Sequence, residues 1–163
     1  MYTNEVLLDL HERAHRNLRQ LLEHCTQLTA EELNRELDGF GYPSVRLQIH
    51  HEISAQEYWI GVLEGRVDPD ENDAAYPTID SLEAYRLRVF SMTETYLQAA
   101  SADELNAGRP MMTWGFQGNV ERVLTPALVV IRTLTHLYHH QGQILAMCRL
   151  LGKPASGFDF PIA

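Results

Sequence analysis

Leu7, Leu10, Ala14, Leu18, Leu21, Leu22, Cys25 and Leu28 recur at spacings of three and four, which lays them along one stripe of an amphipathic helix. Thr29-Ala-Glu-Glu32 has the form of a capping box and restarts a short turn through Leu37, which Asp38-Gly-Phe-Gly-Tyr-Pro43 breaks. A second long helix is expected from Ser44 to about Gly65, with Leu47, His51, Ala55, Tyr58 and Val62 on its apolar face. Arg66 to Pro77, rich in Asp, Asn, Pro and Glu, reads as a surface connection. Asp80-Ser-Leu-Glu83 offers a cap for a third helix, whose Leu82, Tyr85, Val89, Met92, Tyr96 and Leu97 reach about Ala100; Ser101-Ala-Asp-Glu104 adds a further turn. Arg109 to Leu124 holds a Pro, two Gly and Trp114 among β-leaning residues and fits a loop or a small hairpin. The last helix has the clearest limits: Thr125 as N-cap, Pro126 at the first helical position, Gly152 just past the end and Pro154 beyond. Four long helices without a series of strands predict an all-α four-helix bundle, with a short irregular or hairpin segment before the last helix and a single domain over residues 1–163.

Composition narrows the partners. With 13 Lys and Arg against 22 Asp and Glu, the net charge of −9 lacks the basic footprint of a nucleic-acid binder, and no local Lys/Arg cluster restores it. No apolar run approaches the ~18 residues of a membrane span, and the N-terminal residues lack the pattern of a secretory signal, so a cytoplasmic location is expected. The two cysteines, Cys25 and Cys148, fall in apolar-periodic segments and are expected to pack as small hydrophobes.

Histidine is the unusual residue. Of eight, five fall in two groups, His50-His51 and His136, His139, His140. On the last helix His136 and His140 lie one turn apart on a stripe with Val129, Thr133, Ile144 and Met147, with Cβ atoms roughly 5–6 Å apart. Inward-facing imidazoles need partners for both ring nitrogens, and a metal ion is one way to satisfy them. The H-x-x-x-H spacing alone is weak. His51 strengthens it, because it lies on the expected apolar face of another helix, whereas His50 shares a side with Arg46, Ser54 and Glu57. Three imidazoles at ~2.0–2.1 Å leave a coordination position open, as catalytic rather than structural sites do.

Rival metal patterns are incomplete. A zincin needs H-E-x-x-H, and His51-Glu52 begins it, but Ala55 stands where the second histidine belongs. Paired Glu-x-x-His motifs of di-iron bundles are represented only by Glu12-Arg-Ala-His15. A facial triad of two histidines and a carboxylate would require Glu52 to displace His51. His139 turns away from the stripe toward Arg132 and Gln143 and is expected at the surface; His11, His15 and His24 are expected to be solvated or incidental. Trp59 and Trp114 are expected in the core or the wall of a site.

His51-Glu-Ile-Ser-Ala-Gln-Glu-Tyr-Trp59 is similar to the H-I-x-x-A-E-x-x-W segment of the DinB-like, YfiT-like four-helix-bundle proteins, and His136-Leu-Tyr-His-His140-Gln-Gly-Gln143 to their H-x-x-H-H-R-G-Q motif. The resemblance extends over nearly the whole chain, but only these two segments are specific. It implies metal ligation by His51, His136 and His140, the same three residues that the face argument selects. Gln141 stands where Arg is usual and Gln56 where Glu is usual, so no role of those charges in placing an anionic substrate is carried over to this chain; Gln143 is retained, with helix packing its simplest role.

The resemblance further implies a metal-dependent thiol S-transferase, with a low-molecular-weight thiol as co-substrate and a small electrophile as acceptor; imidazole ligation makes zinc or nickel the leading ions and leaves iron, copper and manganese open. Three neutral imidazoles leave the 2+ charge of such an ion uncompensated, which favours an anionic fourth ligand, thiolate or hydroxide. Hydroxide would make the protein a hydrolase. A third reading keeps the bundle and the metal without catalysis, acting in ligand binding or a stress response through a homodimer.

Overall fold

The computed structural model describes residues 1–68 and 72–162. Its first helix, α1 (Asn4–Cys25), starts where the Thr3 side chain accepts the Val6 N–H, and buries Leu7, Ala14, Leu18, Leu21, Leu22 and Cys25. Thr29 and Glu32 close the expected capping box around α2 (Ala30–Asn34), which stops three residues short of Leu37 because Arg35 turns extended. Ser44 caps α3 (Val45–Leu63). Of the acidic connection that follows, residues 69–71 lie outside the described part. The cap of α4 (Ile79–Ala99) is Thr78, exchanging hydrogen bonds with Ser81, and not the Asp80 expected from the sequence. Ser101 and Glu104 box α5 (Ala102–Asn106).

The segment left open between loop and hairpin is a hairpin, with β1 (Arg109–Thr113) antiparallel to β2 (Val120–Leu124) and Arg109 opposite Leu124. It is tied to the end of α3 by Arg109, which donates to the Leu63 carbonyl at 2.8 Å. Pro126 opens α6 (Pro126–Leu150) as expected. Its end is a Schellman motif: the Lys153 N–H reaches the Cys148 carbonyl and the Gly152 N–H the Arg149 carbonyl, with Gly152 at φ +76°.

The long helices pack as α1 on α4 and α6, and α3 on α4 and α6, so α1 and α3 sit diagonally across the bundle. The small sheet makes the fold mostly helical and not strictly all-α. None of the helices described is long and apolar enough to cross a membrane. The apolar core divides into two layers. One holds Ala14, Leu18, Ile49, Ile53, Val89 and Ile144; the other holds Leu7, Ile60, Leu97, Leu105 and Val130. Between them lie His11, His15, Gln56 and Thr93, all buried. Cys25 and Cys148 are free, buried and 4.0 Å apart at sulfur, inside the first layer.

The phase of α3 differs from expectation. The helix turns Val45, Ile49, Ile53 and Ile60 into the core together with Gln48, Glu52 and Gln56, while Leu47, His51, Ala55 and Tyr58 are only half-buried. Apolar residues occur on both sides of this helix, so two stripes compete in the sequence. One is the core face and the other walls a cavity.

Candidate metal centre

That cavity, about 400 Å³, lies between α3, α6, the loop before α3 and the hairpin, with Tyr42, Leu47, His50, His51, Tyr58, Trp59, Trp114, Arg132 and His136 among its walls. At one side His51 of α3 meets His136 and His140 of α6. One nitrogen from each ring can be chosen so that all three lie within 4.8 Å of one another. The ring centroids are 5.1 Å apart for His51 and His136, 4.6 Å for His51 and His140, and 4.4 Å for His136 and His140. The Nε2 atoms of His136 and His140 approach to 3.2 Å. Donors at 2.0–2.1 Å from a tetrahedral ion lie roughly 3.3 Å apart, so this pair has the separation that ligation needs.

The protonation of the rings suits that use. Burial is the largest influence on all three and favours the neutral form. With the neighbouring histidines, and with Arg132 in the case of His136, it lowers His51 and His136 to about 4 and His140 to about 3. At neutral pH each ring therefore carries a lone pair. The tautomer of His140 follows from its neighbours. The Gln48 amide NH₂ has two acceptors, the Tyr42 carbonyl and Gln143 Oε1, both at 3.0 Å, so its oxygen faces His140. His140 Nδ1–H donates to that oxygen at 2.7 Å, which leaves Nε2 bare toward the other two rings. Gln143 in turn lies 3.0 Å from His139 Nε2, and His139 is exposed as expected. Tyr42 stacks on His51 with centroids 3.9 Å apart. The donor set, its neutral state and its oriented ring could hold a divalent ion.

His50, which the sequence places on a side with Arg46, Ser54 and Glu57, is not on an exposed polar face. It is buried more deeply than His51 and faces the rings of Tyr76 and Tyr85. The trio contains His51 because of the direction of α3, and not because His50 lies on a polar side. Glu52 is buried outside the trio, with no hydrogen-bond partner among the described residues, and burial pushes its carboxyl well above the usual range. The facial-triad alternative, which needs Glu52 in place of His51, therefore does not match this arrangement. Neither Gln48 nor Tyr42 figures in the sequence reading. A glutamine three residues before His51 in an apolar run is the one signal that pointed to Gln48.

Two histidines expected to be solvated are buried: His11 and His15 belong to the polar layer. His15 Nε2–H donates to Gln56 Oε1 at 3.0 Å, Arg86 Nη1 donates to His15 Nδ1 at 3.3 Å, and His11 Nε2–H donates to the Phe90 carbonyl at 3.2 Å. Gln56 completes the chain by donating to Thr93 Oγ1. It serves the layer and not the cavity. Gln141, the other departure from the motif, is also buried and donates to the Phe158 carbonyl, tying down the C-terminal segment. His24 is half-buried and donates to the Lys153 carbonyl. Trp59 lines the cavity beneath Arg132, whereas Trp114 is exposed at its rim, where its backbone N–H donates to the Tyr58 hydroxyl.

A mostly helical bundle in which two helices bring three histidines to one cavity defines the protein as a bundle with a candidate metal centre. The chain belongs to the DinB family, whose model matches residues 1–163. Among solved structures it is similar to a conserved protein from Enterococcus faecalis, at 16% identity and a TM-score of 0.66, over 93% of this chain and 99% of that one. At that identity the likeness bears on the fold alone. No curated protein matches the chain by sequence.

Proposed function

We propose that this protein is a metal-dependent thiol S-transferase, joining a small thiol to an electrophile or using the thiol to isomerise it. The observation that carries this reading is the convergence of three neutral imidazoles at a cavity large enough for a small molecule. When bound there, zinc or nickel supplies Lewis-acid chemistry, lowering the pKa of a thiol so that its sulfur is nucleophilic at neutral pH. His51, His136 and His140 would hold the ion, and Gln48 keeps the His140 ring turned toward it. Tyr42, stacked on His51, covers one face of that ring. Tyr58, Trp59 and Trp114 offer aromatic walls to the electrophile, and Asp73 is held by Arg46 at 2.8 Å.

The His136→Ala variant tests the reading. Metal content by elemental analysis and thiol transfer to a model aryl halide, assayed across a panel of small thiols, are expected to fall together to background. Full transfer by metal-free protein would end the proposal, and turnover that needs metal but no thiol would make the protein the hydrolase instead. One observation favours the non-catalytic reading: Phe116 and Val123 of the hairpin and Leu128 at the start of α6 are exposed, as in a surface that pairs with a second copy. Bound metal without reactivity, in a protein that sediments as a dimer, would select that reading.

A further inference from the structure

The cavity has one positive charge that the three-histidine site does not use. Arg132 stands on α6 one turn before His136, so their Cβ atoms are roughly 5–6 Å apart. Its guanidinium carbon lies 4.6 Å from the centre of the Trp59 ring, which fixes the group against the wall. Among the described residues no carboxylate pairs with it. The carboxylate across the cavity, Asp73, accepts from Arg46 through its side chain at 2.8 Å and through its backbone carbonyl at 2.7 Å. In a chain of net charge −9, an arginine held on an aromatic face beside the candidate centre, with the one described acid across the cavity paired to Arg46, is a local exception to the surrounding field.

A planar guanidinium matches a carboxylate through two parallel N–H···O bonds. A phosphate, with about two charges near neutrality, calls for several donors, and among the described residues Arg132 is the one arginine that lines this cavity. Resting on the reading of the cavity as the substrate site, we infer that Arg132 is a specificity-determining residue that selects molecules bearing a carboxylate, seated beside the aromatic walls of Trp59 and Tyr58. The missing charges at Gln56 and Gln141 do not count against this, because both side chains point into the bundle's own contacts.

Two near-isosteric pairs of probes test it on wild type and on Arg132→Gln, whose exposed side chain can be replaced without disturbing the core. In cobalt-loaded protein, 3-mercaptopropionate and 3-mercapto-1-propanol are titrated by the sulfur-to-cobalt absorption band. In metal-free protein, phenylacetate and 2-phenylethanol are titrated by tryptophan emission. Wild type is expected to prefer the carboxylate about tenfold in each pair, and Arg132→Gln to bring the members of each pair within about twofold. Arg132→Lys is expected to fall between, since it keeps the charge and loses the fork. Equal affinities in wild type overturn the inference. So does a preference that persists in Arg132→Gln, which would place the carboxylate on the ion. If cobalt is not retained, the metal reading fails, and the phenylacetate pair still decides for or against Arg132.

Discussion

Gln48 shows how much of the site rests on a residue outside the three metal-ligating candidates. Its amide is oriented by two acceptors and in turn orients His140. Gln48→Leu is expected to keep the fold while weakening zinc binding about 10–100-fold, measured by competition with a chromophoric chelator; Gln48→Glu, which retains an acceptor for the ring, is expected to recover most of it. At this scale the sequence was legible where chemistry is repeated along one helix. His136 and His140 announce themselves by their spacing, and His51 by the resemblance. Gln48 and Tyr42 were not legible, because the groups they serve come from other elements. His11 and His15 were misread for the same reason: what they hydrogen-bond to is a carbonyl on α4, an amide on α3 and an arginine on α4.

Individual elements were set by local signals, and the errors fall where two signals compete. Thr29, Ser44, Ser101 and Pro126 open helices as their neighbours dictate. Thr78 and Asp80 are both good caps, and the one whose hydroxyl can trade bonds with Ser81 prevails. The hairpin was hard to distinguish from a loop because β2 is exposed nearly throughout and shows no alternation of buried and exposed positions. The end of α6 gives the sharpest element-scale prediction. Gly152→Ala puts a Cβ on a residue at φ +76° and is expected to cost about 1 kcal/mol in urea unfolding, although no atom stands within 4 Å of that Cβ. A loss well above that would mean crowding rather than backbone conformation.

Across the whole molecule, the polar layer makes stability depend on acidity. Burial, the largest influence, lowers His11 to about 4 and holds His15 well below its ordinary value. Both are thus neutral when folded and charge readily when unfolded. The unfolded chain binds more protons below about 6.5, so the contribution of His11 is complete above that pH and is lost as pH falls toward about 4, with a magnitude of roughly 3 kcal/mol. Thermal melts of metal-free protein between pH 7 and pH 4 are expected to show this decline, and His11→Leu to show a shallower one despite its lower stability at pH 7. Equal slopes in the two proteins would remove His11 as the cause.

The three imidazoles also fix an order of events. His136 and His140 become neighbours as soon as one helix winds, but His51 arrives only when distant parts of the chain have docked. A cation that requires all three can therefore be captured only by a finished molecule. Occupancy by such a cation would then be a certificate of correct assembly.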